Sequence, residues 1–387
     1  MLSGTSALLN AVTALEQDNG QAVLATVVKV EGSAYRRPGA RMLIPLYGAT
    51  VGTLSGGCLE SEVAKKAWWL TETGDAVVSR YSTAALNDEE DDDQDAALTF
   101  GLGCNGTVYV MLERHSAEQP LPLLDLLRQV RASHCAGAQA TVIASHRHTR
   151  VRVGDRLVLH PENTDSGRLL DAPLDAQVRA DLHATLTQGR SSLRRYPDAR
   201  GEVEVFLEYL APQRRLVIFG AGHDAQPLVH MAKLQDWHVS VIDGRAHFAR
   251  AERFPLADAV LHVPAQPPYA LDGLIDGALV AVMTHSYSQD RHWLGGVLRG
   301  NPAYVGQLGP RERTERLLDE IAAHLPGQAP ALGALDRLHY PIGLDIGGDT
   351  PESVATAILA EMTAALNQRS GGMLKHRLVP IHTPMPP

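Results

Sequence analysis

Apolar positions recur at helical spacing at Leu8, Leu9, Val12 and Leu15, and Asn19-Gly20 closes that segment with turn chemistry. Ala22–Val30 is rich in β-branched residues and predicts a strand, with Arg41–Leu46 as its neighbour and the polar, glycine-rich stretch between them as a loop. A helix is predicted from Cys58 to about Leu70, after the turn Ser55-Gly56-Gly57. From Pro120 the pattern reads as helical and then irregular, with a hairpin at Arg150–Leu159 around Val153-Gly154-Asp155. Glu202–Tyr209 alternates as an edge strand would.

Beyond Ala211-Pro212 the pattern changes. Short apolar runs at Leu216–Phe219, His238–Ile242, Ala259–Val263, Gly277–Met283 and Ala303–Gly306 alternate with helical segments, as a mainly parallel, buried sheet requires. The expected fold is α/β, with a Rossmann-like C-terminal domain at 211–370 and a separate N-terminal α/β (α+β) domain at 1–210. Thr350 reads as a helix N-cap with Pro351 at the first helical position, and residues 371–387 read as a mobile tail.

The length, 387 residues, suits two domains, and the composition, 44% apolar and 20% charged, is that of a globular protein. A net charge of −9 with no clustered basic face argues against nucleic acid as a partner. No apolar run is long enough for a membrane helix, and the first ten residues lack the basic start of a secretory signal, so a cytoplasmic protein is expected. Three cysteines without a close pair read as reduced thiols.

Candidate chemistry collects on glycine-rich turns. Gly220-x-Gly222-x-x-Ala225 follows a strand and opens a helix. Gly220 permits the turn, Gly222 lets a phosphate approach backbone N–H groups, and Ala225 lets helix and strand pack closely. His223 lies inside this turn, and Asp243 ends the next strand, where a ribose hydroxyl would be bound. His285 follows the Gly277–Met283 run, at the end of an open α/β sheet where ligands bind. Arg311, Arg313 and Arg316 open a helix after Gly309-Pro310 and offer paired donors that suit phosphate.

Ser55, Gly56 and Gly57 offer backbone donors at a helix start, an arrangement that cradles anions, and Cys58 in the first turn feels the positive end of the helix dipole. A buried small hydrophobe is the competing reading of Cys58. Gly103-Cys104 is a second glycine-flanked thiol in Phe100–Gly106, which reads as a further anion- or cofactor-facing loop or as a hairpin with an incidental cysteine. The acidic run Asn87–Asp95 reads as a solvated loop, and the spacing of His134, Cys135, His146 and His148 fits no compact zinc pattern.

Seven blocks in order carry a resemblance over most of the chain: Gly32–Ile44, Gly52–Glu60, Phe100–Gly106, Val217–Leu228, Met283–Asp290, Tyr304–Arg313 and Pro341–Glu361. The chain resembles the XdhC/CoxI family of accessory proteins for molybdenum hydroxylases such as xanthine dehydrogenase. That resemblance implies a two-domain chaperone that binds molybdenum cofactor, assists its sulfuration and delivers it to the apo-hydroxylase, without oxidising purines itself. It further implies a cysteine desulfurase as a candidate sulfur donor and a homo-oligomer. Cys58 and Cys104 would be the molybdenum-facing thiols. The rival reading is an NAD(P)-dependent oxidoreductase, or another nucleotide-binding protein, using Gly220, Gly222, Ala225 and Asp243.

Overall fold

The computed structural model describes residues 4–32, 36–82, 98–99, 106–146, 150–161, 164–198, 201–264, 271–324 and 335–378. The chain divides into two compact units, Ser3–Pro212 and Gln213–His382.

In the first unit, α1 (Thr5–Gln17) leads into β1 (Gln21–Gly32), followed by β2 (Arg41–Pro45), β3 (Val51–Gly52), α2 (Cys58–Leu70), β4 (Val77–Ser82), β5 (Leu98–Thr99) and β6 (Gly106–Ser116). The strands form a sheet in the order β3-β2-β1-β6-β4-β5, antiparallel except between β4 and β5. Alternation along β1 buries both faces: Ala22 and Leu24 pack toward Leu8 and Val12 of α1, whereas Val23, Ala25 and Val27 pack toward Val63 and Ala67 of α2. Next come α3 (Pro122–Ser133), β7 (Gly137–Ser145), β8 (Arg156–Leu159), β9 (Asp165–Gly167), α4 (Ala172–Gln188), β10 (Ser192–Asp198) and β11 (Gly201–Leu210). Their antiparallel sheet runs β10-β11-β7-β8-β9, with α4 packed on the face of Ala138, Ala140 and Val142.

Three expectations for this region are corrected. The stretch after α3 is an ordered sheet and helix rather than irregular chain, and residues 150–155 are the connection between β7 and β8 rather than part of a separate hairpin. The strand Glu202–Tyr209 is interior, flanked by β10 and β7, because Val203, Val205 and Leu207 pack on α4 while Phe206 packs with Val28 and Met111. Alternation reports which faces are occupied and carries no information on whether both edges are paired.

The second unit contains β12 (Arg215–Phe219), α5 (Ala225–Leu234), β13 (His238–Asp243), β14 (Ala259–His262), α6 (Asp272–Ile275), β15 (Leu279–Val282), α7 (Tyr287–Val297), β16 (Tyr304–Gln307), α8 (Arg311–His324), β17 (Leu338–His339) and α9 (Pro351–Leu366). All six strands are parallel, in the order β14-β13-β12-β15-β16-β17. This is the doubly wound Rossmann arrangement. Leu216 and Ile218 of β12 face α5 and α9; Val217 and Phe219 face α6, α7 and α8, where Phe219 stacks on Trp293. Burial on both faces is why these strands read as unbroken apolar runs. Thr350 caps α9 through a hydrogen bond from Ser353 N–H, with Pro351 at the first position, as the sequence predicts. Residues 374–376 form a short 3-10 turn, and the tail beyond Leu378 lies outside the described residues.

Candidate functional site

The chain runs from β12 outward to β13 and β14, then crosses to the other side of β12 to enter β15. The reversal leaves a crevice between the carboxyl ends of β12 and β15, the position where open α/β sheets bind ligands. Two turns form its walls, 220–224 after β12 and 284–286 after β15.

Gly220 has φ +124°, and a Cβ there would lie 2.4 Å from the Met283 carbonyl oxygen, so only glycine lets the two strand ends approach. Gly222 differs in kind. A Cβ there would meet nothing nearer than His285 Cδ2 at 3.9 Å, so this side of the turn opens onto free space. Ala225 is fully buried at the start of α5, where its small side chain sets the helix against the sheet. His223 is exposed beside Gly222.

His285 sits directly beyond β15 with φ +58°, a left-handed conformation costing about 1–2 kcal/mol for a residue with a Cβ. A buried clamp holds it there. The carboxylate of Asp290 accepts from Thr284 N–H at 3.1 Å, Thr284 Oγ1 at 2.5 Å and Gln307 Nε2 at 3.2 Å, and pairs with Arg313 at 2.7 Å. The His285 side chain is 59% exposed, and its Nε2 donates to Asp224 Oδ2 at 2.7 Å. A histidine from one wall of the crevice is therefore held by a carboxylate from the other. Asp224 was not among the sequence-predicted site residues, although it adjoins the glycine fingerprint.

Asp243 departs from expectation. It is fully buried, and its two oxygens accept four hydrogen bonds: from Ala221 N–H, Arg245 N–H, Arg245 Nε and Arg245 Nη2, all at 2.8–2.9 Å. Burial alone would raise its pKa, but the bonds from Arg245 and from the Ala221 N–H, with the Arg245 charge, outweigh it and hold the carboxyl below its usual range. No lone pair is left facing a ribose, so the expected ribose acid is a structural clamp. Its signal in the sequence is Arg245, two residues on.

The turn before α2 is corrected in the same sense. The expected cradle is occupied by the chain's own Glu60: Oε1 accepts from Leu54 N–H at 3.0 Å and Ser55 N–H at 2.8 Å, and Oε2 accepts from Ser55 Oγ at 2.8 Å and Gly57 N–H at 3.0 Å. Desolvation opposes ionisation of Glu60, but these bonds prevail and lower its pKa. Glu60 stands three residues after Gly57, the spacing of a capping box, which is the signal that reveals it. Gly56 is exposed in this turn, and Cys58 is the first residue of α2. The side chain of Cys58, and Gly103 and Cys104 entirely, lie outside the described residues.

Arg311 and Arg316 lie over the rings of Tyr340 and Tyr287 at the start of α8, while Arg313 is engaged with Asp290. A groove of about 1120 Å³ lies apart from these groups, between α5, α9 and residues 371–377, and is lined by no sequence-predicted site residue. No helix among the described residues is long and apolar enough to cross a membrane.

The model of the XdhC Rossmann domain matches residues 216–362, and that of the XdhC and CoxI family matches residues 15–82 and 130–197. A relative from Bacillus subtilis, named as a probable xanthine dehydrogenase subunit, is 32% identical over 353 residues, covering 90% of this chain and 94% of its own. The chain belongs to the XdhC and CoxI family. Residues of this XdhC chain also match the uncharacterized protein YqeB of Escherichia coli, at 29% identity over 46% of the chain and 32% of YqeB. A crystal structure of a xanthine dehydrogenase from Bacillus halodurans is 26% identical, with a TM-score of 0.71 over 95% of this chain and 97% of that one.

Proposed function

We propose that this chain is a maturation factor for a xanthine dehydrogenase-type molybdenum hydroxylase, which it supplies with sulfurated molybdenum cofactor without oxidising the hydroxylase's substrate itself. The observation that carries this reading is the end-to-end kinship with a protein named as a probable xanthine dehydrogenase subunit. The cofactor is cargo. Its phosphate end suits the Gly222 side of the crevice, where an added Cβ would meet only His285 and where, among the described residues, the Gly222 and His223 N–H groups make no hydrogen bond. The turn before α2 suits it less, because Glu60 already takes the N–H groups of Leu54, Ser55 and Gly57. Cys58 and Cys104 are the thiols this reading assigns to the molybdenum and its exchangeable sulfur, since soft thiolate suits that chemistry. Partners are then the apo-hydroxylase and, as sulfur donor, a cysteine desulfurase.

An NAD-dependent oxidoreductase ordinarily uses the acid at the end of the second strand for the ribose, and Asp243 is already spent there on Ala221 and Arg245. The maturation reading is tested by deleting the gene in a host that makes the hydroxylase. The expected result is abundant hydroxylase with several-fold less cyanide-releasable sulfur and activity, restored by the wild-type chain but not by a folded chain carrying both Cys58→Ser and Cys104→Ser. Fully active, fully sulfurated hydroxylase in the deletion strain would overturn the reading. Full rescue by the double variant would remove the thiols from it.

A further inference from the structure

The family model matches two stretches, residues 15–82 and 130–197, and one offset in residue number carries both ends of the first onto those of the second. The same offset carries α1, β1, β2, β3, α2 and β4 onto α3, β7, β8, β9, α4 and β10. One more strand, β6 or β11, completes each sheet, and the two sheet orders agree strand for strand apart from the added β5. Finer features recur at that offset. The register of β1 against β6 breaks between Val27 and Lys29, and that of β7 against β11 between Val142 and Ala144. Gly52 and Gly167 both have positive φ, and a Cβ on either would lie 2.4 Å from a backbone oxygen of the adjoining strand, that of Arg41 or Arg156. Glu60 accepts from Leu54 N–H at 3.0 Å, as Asp175 accepts from Leu169 N–H at 2.8 Å. Bulges are kept within families as built features, so one at matching positions marks common descent more than common topology.

The two repeats meet through equivalent surfaces. Leu8, Leu9 and Val12 of α1 pack in one cluster with their counterparts Leu123, Leu124 and Leu127 of α3. Between the sheets, Val28 and Met111 of the first repeat pack with their counterparts Ile143 and Phe206 of the second. Two ion pairs cross from repeat to repeat, Arg41 with Glu208 and Arg156 with Glu113, and each of these four side chains is 10% exposed or less. Strand register makes the two pairs equivalent, because Glu113 stands opposite Leu24 and Glu208 opposite Gln139, the counterpart of Leu24. Where residue i of one copy meets j of the other and j meets i, the contact is isologous and its symmetry twofold.

We propose that the first unit is an internal duplication, two repeats of one fold docked about a pseudo-twofold axis, and that the crossed pairs Arg41–Glu208 and Arg156–Glu113 select the partner surface. A buried charge without its partner is costly, so docking out of register, or against a face lacking the matching acid, strands an arginine. The repeats differ where the first carries its thiol. Gly57 precedes α2 with no side-chain cap and Cys58 follows it; in the same turn of the second repeat Asp171 caps α4 by accepting from Leu174 N–H at 3.1 Å, and Pro173 stands in place of Cys58. The second repeat is thus a docking partner for the first and not a second thiol turn. The pairing does not depend on the maturation role.

The test is hydrogen exchange resolved by segment on the full chain. Arg41→Glu sets two carboxylates against each other and should speed exchange about a hundredfold or more in β1 and β7 together, since a broken buried pair releases both repeats. Adding Glu208→Arg should recover at least about tenfold of that loss. Adding Glu113→Arg instead should recover nothing, because two residues of one repeat are not partners. The mirror set, Arg156→Glu combined with Glu113→Arg or with Glu208→Arg, should give recovery and no recovery in turn.

Three results would overturn the proposal: loosening confined to the repeat that carries the substitution, recovery of Arg41→Glu by Glu113→Arg in place of Glu208→Arg, or mirror sets that disagree. Should the reversed chains fail to fold, Arg41→Met and Arg156→Met are measured in the same way. Faster exchange in both repeats at once then supports the pairing, and faster exchange in one repeat alone overturns it.

Discussion

The turn before α2 and the turn before α5 look alike as sequence: glycines, a small polar neighbour, and a helix start behind them. Their donors meet different fates. In the first, the Glu60 carboxylate takes the N–H groups of Leu54, Ser55 and Gly57; in the second, Asp243 takes only that of Ala221. Helix starts attract anions through unpaired N–H groups and the dipole, and a carboxylate within the same chain satisfies that attraction as well as a ligand does. What separates a binding turn from a structural one is thus which donors remain, and that depends on an acid three residues downstream in one case and nineteen residues beyond the turn in the other.

The largest break in this comparison should come from the glycines themselves. Gly220→Ala drives a Cβ to 2.4 Å from the Met283 oxygen and 2.6 Å from its carbonyl carbon, both backbone, so it should destabilise the second unit by more than about 3 kcal/mol. Gly57→Ala meets nothing within 4 Å and strains only φ, at +120°, which should cost about 1–2 kcal/mol in the first unit. Hydrogen exchange resolved by segment checks both the sizes and their confinement to one unit. Equal losses would show that the first turn is as tightly built as the second.

An effect smaller than that at Gly220 is expected at the carboxylates. Asp243→Asn leaves Arg245 without its counter-charge and should cost about 3 kcal/mol. The wild-type carboxyl is depressed, so its contribution is fully present above the unfolded value, near pH 4, and is lost as pH falls through the folded value. Denaturation midpoints measured between pH 3 and pH 7 should therefore fall steeply at the acid end in the wild type and less steeply in the variant. A slope unchanged by the substitution would show that Asp243 is not a source of the acid sensitivity.

The smallest change should sharpen the comparison rather than break it. Glu60→Ala should cost about 1–2 kcal/mol, the usual loss on removing a helix cap, while freeing the donors of Leu54, Ser55 and Gly57. The turn before α2 should then acquire weak, millimolar affinity for sulfate or phosphate that the wild-type turn lacks, seen as amide shifts in these residues by NMR. A turn that stays silent to both anions would show that its geometry, and not only Glu60, excludes them.

The apolar runs of the second unit predicted a parallel sheet because strands covered by helices on both faces must be apolar throughout, and His238–Ile242 and Gly277–Met283 became β13 and β15. The glycine fingerprint was legible for the same local reason: a positive φ at Gly220 and a tight helix start at Ala225 are demands on single residues. The first unit was less legible. Its second sheet pairs β11 with strands on both sides, and no alternation within Glu202–Tyr209 states that.

The sequence by itself determined most strands of the second unit and its doubly wound character, the family, and the positions of Gly220, Gly222 and His285 at strand ends, because these follow from local conformation and from periodic burial. The tertiary structure alone decided which polar groups are spent on one another. Hydrogen-bond partners separated by many residues, such as Asp224 with His285 and Asp243 with Ala221, exist only once the strand ends are brought together. In the low dielectric of a buried turn, an unpaired polar group is costly enough that the fold pairs whatever it can reach. Asp243 was pulled inward by that rule, and His285, in the turn that the Asp290 clamp holds, stayed exposed with Asp224 as its partner.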